Sequence, residues 1–332
     1  MPVSVRSFAK INLGLAIGAK RDDGFHDLRT IYQTIALHDV LRVDVSRGIG
    51  IEVRCKDPRV PTDESNTCWR VADRVMRALK QRGKVVIQIE KNLPVQGGIG
   101  GGSTNAVATM FALERALKME LSPGARLRIA AEVGSDLPLF LIGGTVLGCG
   151  RGEEVYPLPD LECLPCVIAT PDIGVSTPEA FRQWDAYIEQ QGELTPQAGS
   201  ATITEFSHSA FEWLSGTLSG VPAACAKREQ SAGESSGDRA ETLLLDLVRA
   251  GIENDFERVV FPKHPELREV KRLLERNNSC YASLSGSGST LYGFFKTPEQ
   301  AQEAAAALLK AGVPAQATVT LPRRRYLEER FL

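Results

Sequence analysis

The stretch from Lys91 to Ala108, KNLPVQGGIGGGSTNAVA, restricts the possible folds more than any other part of the chain. Gly97, Gly98, Gly100, Gly101 and Gly102 leave the backbone unshielded, so several N–H groups can turn towards one anion. Before them, KVVIQIE reads as a strand. After them, Ala106, Val107, Met110, Phe111 and Leu117 recur at helical spacing, with Ser103, Thr104 and Asn105 on offer as N-caps. A helix N-terminus carries about half a positive charge and unpaired N–H donors, so this strand, loop and helix start suggest a cradle for a di- or triphosphate. A Walker A loop ends in Gly-Lys-Ser/Thr, whereas the run here is Gly102-Ser103-Thr104, which excludes a P-loop NTPase. A dinucleotide-binding fingerprint fits poorly, since Ser103 falls where its third glycine belongs. The flanking strand and helix disfavour a flexible linker.

The 332 residues suffice for about two domains of roughly 150 each. A net charge of −2 marks no nucleic-acid or membrane-binding surface, so a small-molecule substrate is expected. The run Arg323-Arg324-Arg325 is followed closely by Glu328 and Glu329 and reads as a solvated end. No apolar run approaches a membrane span and MPVSVRSFAK lacks the pattern of a signal peptide, which makes the cytoplasm the expected location. Seven scattered cysteines, an odd number, suit a reducing compartment. Cys163-Leu-Pro-Cys166 runs into the apolar strand CVIAT without a second pair and reads as structural.

Along the chain, VSVRSFAKINLGLAIGAKR forms one or two strands, with Ile11, Leu13 and Leu15 on one face and Lys10 and Asn12 on the other. A loop, RDDGFHDL, precedes the extended TIYQTIAL. LRVDVS and IEVRC flank Arg47-Gly48-Ile49-Gly50, the signature of a hairpin. Ser65 or Asn66 caps a helix to about Arg82, and Ser122-Pro123 starts another that stops near Gly134. Asp136 then stands as a natural N-cap before the short apolar run LPLFLI, which Gly143-Gly144 ends. A strand from Cys166 to Thr170 leads to Thr177-Pro178 and a helix from Glu179. From about 190 to 241 the chain turns polar, with KREQSAGESSGDRAE, and reads as partly disordered. Helices at Thr242 to Ala250, Pro265 to Asn277 and Pro298 to Ala311, with strands YASLS, TLYGFF and QATVTL, make a compact α+β second domain.

Five dispersed segments, AKINLGL with GFH behind it, PVQGGIGGGSTNA, GSDLPLFL, GVSTPEAF and SLSGSGSTLYGFF, together resemble the GHMP kinases over nearly the whole chain. The resemblance implies a two-domain α+β fold. Residues 1–160 would form an ATP-binding domain like the second domain of ribosomal protein S5, and 161–332 a ferredoxin-like α+β domain carrying the polar insert of about 190–241. It implies ATP and Mg²⁺, with Gly97, Gly98, Gly100, Gly101, Gly102, Ser103 and Thr104 around the phosphates, Asn66 and Lys91 near the nucleotide, and Ser103 or Thr104 on the metal, Ser103 first. Asp136 would be the base for the acceptor hydroxyl and Lys10 would steady it. Asn12, Phe25, His26, Thr177 and Phe181 would hold the acceptor, a cytidine diphosphate derivative of methylerythritol phosphorylated at its 2-hydroxyl. Phe25 stands where the family usually has tyrosine. Ser285-Gly286-Ser287-Gly288-Ser289 would close on the phosphates or the acceptor. No nucleic acid or membrane partner is expected, and the state implied is a monomer or weak homodimer.

Without the resemblance, the residues leave blander readings open: Asp136 as a helix cap, Lys10 as an exposed strand lysine, His26 as a loop histidine and SGSGS as a tight turn. A mevalonate or homoserine acceptor, or a non-catalytic nucleotide sensor, are the competing functions. A base pocket argues against the first, and retention of both Lys10 and Asp136 against the second.

Overall fold

The computed structural model describes residues 2–95, 97–191 and 253–332. Two long strands, β1 (Val3–Lys20) and β2 (His26–Ser46), pair antiparallel and form the spine of a six-stranded sheet. β1 is buried on both faces because two layers meet on it: Ile11 and Leu13 pack with Tyr292 and Phe294 of the second sheet. Lys10 and Asn12 lie opposite Thr34 and Tyr32 of β2.

The expected hairpin across Arg47–Gly50 does not form. β3 (Gly50–Cys55) pairs in parallel with β4 (Lys84–Glu90), which itself pairs antiparallel with β2, so Lys84 lies opposite both Ser46 and Gly50. The turn arches over the start of β4. A Cβ on Gly48, whose φ is +133°, would stand 3.2 Å from Lys84 Cβ. Burial explains the exchange: Val85, Ile87 and Ile89 of β4 are all buried, whereas β3 fully buries only Val53, so the more apolar strand takes the inner place. The crossover is α1 (Thr67–Ala78), capped by Asn66 and ending before the expected Arg82.

Helix α2 (Gly101–Leu117) begins three residues earlier than a Ser103 cap would place it. Its N-cap is Gly100, in the left-handed region at φ +73°, and no side chain caps it. Next come α3 (Pro123–Val133), capped by Ser122, α4 (Leu137–Ile142), β5 (Thr145–Cys149) and a short edge strand, β6 (Glu154–Pro157), which the sequence pattern did not reveal.

The second layer runs β7 (Pro165–Ala169), α5 (Thr177–Gln190), α6 (Glu257–Lys263), α7 (Pro265–Arg276), β8 (Tyr281–Leu284), β9 (Leu291–Phe294), α8 (Pro298–Lys310) and β10 (Ala315–Val319). Its strand order, β10-β7-β9-β8, all antiparallel, is that of a ferredoxin-like sheet. The polar insert beyond residue 191 and the helix expected at Thr242 to Ala250 lie outside the described residues.

The C-terminus corrects one expectation. α9 (Arg323–Glu328) returns to the first sheet, where the Tyr326 hydroxyl donates to Phe140 O at 2.5 Å. Arg323 is no solvated end: its Nη2 donates to Thr145 O at 2.9 Å and pairs with Asp160 at 3.4 Å. Cys166 is fully buried, while exposed Cys163 accepts from Arg325 Nη1 at 3.1 Å, in keeping with structural roles for both.

Candidate active site

The glycine loop divides into two halves with different reasons for glycine. Gly98 has φ +75°, and a Cβ there would sit 2.4 Å from Ser285 O; at Gly100, φ +73°, it would sit 2.8 Å from Phe140 Cζ and 3.2 Å from Lys10 Cγ. The protein itself demands glycine at these positions. Gly101 and Gly102 are different: a Cβ would meet nothing closer than Lys91 Nζ at 3.4 Å and Thr67 Oγ1 at 3.7 Å. Their backbone is open on the outer side. The first helical bond of α2 runs from Thr104 N to Gly100 O at 2.9 Å, so the preceding amides have no helical acceptor. Ser103 is half-buried on this turn, whereas Thr104 is buried.

The Ser285–Ser289 segment is both a turn and a clamp. Gly288 N donates to Ser285 O at 3.0 Å, while Ser285 Oγ donates to Gly98 O at 3.1 Å and Thr290 N to Gly97 O at 3.2 Å. Lys10 N donates to Ile99 O at 3.1 Å from the other side. Lys91 reaches the loop held by Asp39: Nζ lies 2.6 Å from Oδ2, and the same carboxylate accepts from Asn92 N, Leu93 N and Asn105 Nδ2. Asn66 spends its amide within the protein, accepting from Cys68 N at 2.8 Å and donating to Pro61 O at 2.6 Å. Its neighbour Thr67, which the sequence did not single out, donates to Gly102 O at 2.9 Å.

Lys10 and Asp136 come together at the end of this loop. Lys10 is 3% exposed; its Nζ donates to Asn12 Oδ1 at 2.6 Å and Gly98 O at 2.9 Å and stands 3.5 Å from Asp136 Oδ2. Burial lowers the pKa of this ammonium, and Asp136 opposes the shift. Asp136 occupies the N-cap position of α4, yet its side chain caps nothing. It accepts instead from the Tyr32 hydroxyl at 3.3 Å and remains 35% exposed. Burial first, then Asp136, pushes the Tyr32 phenol well above its ordinary value, so it stays a donor. Gly152 lies over the pair, its Cβ position 2.5 Å from Tyr32 Oη and 3.9 Å from Asp136 Oδ1. Tyr32 carried no sequence signal; the register that sets it opposite Asn12 brings it here. Asn12 also donates from Nδ2 to Thr30 Oγ1 at 2.8 Å, so both ends of its amide are tied into the strand pair.

At the far end, His26 and Phe181 stack, with ring centroids 5.0 Å apart and planes at 8°. His26 Nε2 meets Asp185 Oδ1 at 2.6 Å, and Phe181 is also edge-on to Phe256 at 5.0 Å. Phe25 does not join them. It is 51% exposed, with the Arg151 guanidinium 5.0 Å from its ring centroid. Thr177 lies between the two ends, sharing a hydrogen bond with Ser287 Oγ at 2.8 Å. Asp185 was missed, although its i+4 spacing from Phe181 on α5 was a usable signal.

Two segments of the chain match models of one known family. The description GHMP kinases N terminal domain matches residues 66–144, and GHMP kinases C terminal matches 238–314. A protein of Solibacter usitatus named 4-diphosphocytidyl-2-C-methyl-D-erythritol kinase is 36% identical over 88% of this chain and 81% of its own. One of Desulfitobacterium hafniense with the same name is 35% identical over 92% and 91%. A crystal structure of 4-(cytidine 5'-diphospho)-2C-methyl-D-erythritol kinase superposes with a TM-score of 0.69 at 26% identity, covering 96% of this chain and 98% of that one. Homoserine kinase from Cytophaga hutchinsonii, at 18% identity and a TM-score of 0.71 over 98% and 96%, shares the fold. Among the described residues no helix is long and apolar enough to cross a membrane.

Proposed function

The chain belongs to the GHMP kinase family, and on that footing we propose that it transfers the γ-phosphoryl group of ATP to the 2-hydroxyl of 4-diphosphocytidyl-2-C-methyl-D-erythritol, giving ADP and the 2-phosphate. One observation carries the reading: Asp136 stands at a helix start without capping it, and turns to Lys10 and Tyr32 between a phosphate cradle and an aromatic pocket.

Residues 1–160 are the ATP-binding domain in this assignment, and 161–332 the C-terminal domain. The phosphates lie against Gly97 to Gly102, Ser103 and the open start of α2, with Thr104 beneath and Asn66 and Lys91 at the nucleotide side. Loop amides, helix dipole and Lys91 then face the charge that develops on the transferred group. Asp136 accepts the proton of the attacking hydroxyl, and Lys10, 3.5 Å from that carboxylate, steadies the oxygen. Asn12 holds the Lys10 ammonium in place. His26, Thr177 and Phe181 bind the cytidylyl portion, with Phe25 exposed at its rim.

No group of three or more His, Cys, Asp or Glu among the described residues makes a metal cage. Ser103 offers a hard hydroxyl oxygen on the first turn of α2, which suits Mg²⁺, an ion that takes few protein ligands beside phosphate oxygens and water. Bound there, Mg²⁺ would supply charge neutralisation on the phosphates. The odd number of scattered cysteines, seven in all, supports a cytoplasmic site of action. A monomer or weak homodimer is the state to test by light scattering.

The deciding assay is ADP release with Mg-ATP and a panel of the cytidylyl substrate, mevalonate, homoserine and no acceptor. Turnover with the cytidylyl substrate alone is expected. Turnover with another acceptor, or with none, overturns the assignment.

A further inference from the structure

The side chain that backs His26 has no part in the scheme above. Asp185 bridges two side chains: Oδ1 meets His26 Nε2 at 2.6 Å, and Oδ2 accepts from Lys20 Nζ at 3.0 Å. The histidine side chain is 5% exposed and the carboxylate 28%, so the shorter contact is shielded from water. Helix α5 holds the imidazole in two ways from residues one turn apart, with Phe181 on its face and Asp185 on its edge.

We propose that Asp185 is a positioning residue that fixes the tautomer of His26 and so makes the pocket prefer cytosine to uracil. This rests on the kinase reading. A carboxylate can only accept, so the ring nitrogen facing it must carry the hydrogen. With Nε2–H committed, Nδ1 of the neutral imidazole is an acceptor. Cytosine has a donor at position 4, its exocyclic amine, and uracil has a carbonyl oxygen at the same place. A lone pair on Nδ1 attracts the first and repels the second. Lys20 completes the device. Its ammonium on Oδ2 holds the carboxylate where Oδ1 meets His26 Nε2.

The test measures binding of CDP and UDP by calorimetry on the full chain, with wild type, Asp185→Asn and Lys20→Gln, and follows the His26 tautomer by ¹⁵N NMR. An asparagine can donate as well as accept, so the tautomer is no longer imposed. Wild type is expected to show the Nε2–H form and to favour CDP. Asp185→Asn should lose about tenfold in the CDP-to-UDP ratio and raise KM for the cytidylyl substrate similarly, with kcat within about twofold. Lys20→Gln, at an exposed side chain, should move the ratio the same way by about two- to threefold. A purely structural Asp185 would leave the ratio and the tautomer unchanged, and that result overturns the proposal. Failure of the kinase reading is a separate outcome, seen as absence of wild-type turnover on the acceptor panel while the CDP-to-UDP ratio still reports on Asp185.

Discussion

The two ends of the site are built differently. At the phosphate end, every part is held by another: Lys10 by Asn12 and Gly98, the glycine loop by Ser285 and Thr290, Lys91 by Asp39. At the base end, His26 and Phe181 lie on each other and Phe25 stands half exposed. Electrostatic catalysis requires groups that do not reorganise when charge develops, whereas a base needs only faces and a few aimed polar atoms. On the proposed assignment the rigid end governs rate and the aromatic end governs affinity.

The sharpest break is Asp136→Asn. Removing the proton acceptor should cut kcat by about 10²–10⁴ with little change in either KM, read from ADP release on protein whose circular dichroism and melting are unaltered. An equal rise in KM would move Asp136 to the binding side. A smaller effect separates the halves of the glycine loop. Gly98→Ala meets both a positive φ and Ser285 O and should lose about 1–3 kcal/mol in denaturant unfolding. Gly102→Ala has room, so stability should hold within about 0.5 kcal/mol while KM for ATP rises. Equal destabilisation by both substitutions would remove the distinction.

At the aromatic end, His26→Ala should weaken CDP binding by roughly tenfold through loss of stacking and one hydrogen bond, leaving kcat within about threefold. A collapse of kcat would show that the two ends are not separable. The smallest effect lies at the seam behind them, where Asp255 accepts from Ile17 N at 2.8 Å and burial pushes its carboxyl up to about 6. A raised folded pKa means that the native state binds the proton more tightly. The stabilisation is full below the unfolded value near 3.8 and is lost as the pH rises through about 6. Between pH 5 and 7.5 this amounts to about 1 kcal/mol, which Asp255→Asn should abolish in paired unfolding curves.

Much of this was legible in the chain because it rests on local chemistry. KVVIQIE, Ser122-Pro123 and the apolar run behind Asp136 each state their own structure, and β4, α3 and α4 lie where that pattern puts them. The failures share a cause. The hairpin at Arg47–Gly50 was a sound local reading, overruled because β4 had more apolar surface to bury beside β2 than β3 did. Ser103 was a sound cap, displaced because Gly100 could adopt φ +73° close to Phe140 and Lys10.

By itself the sequence determined the glycine cradle between a strand and a helix, the separation of Lys10 and Asn12 from the apolar face of their strand, and the dispersed motifs that mark the family. Backbone freedom and side-chain periodicity are properties of neighbouring residues. Tertiary structure alone decided that Asp136 addresses Lys10 and Tyr32 instead of its own helix, that Asp39 holds Lys91, and that Asp185 stands behind His26. Those partners are 126, 104, 52 and 159 residues apart in sequence, and only the burial that brings the strands and α5 together gives their charges and hydrogen bonds a common, water-poor setting.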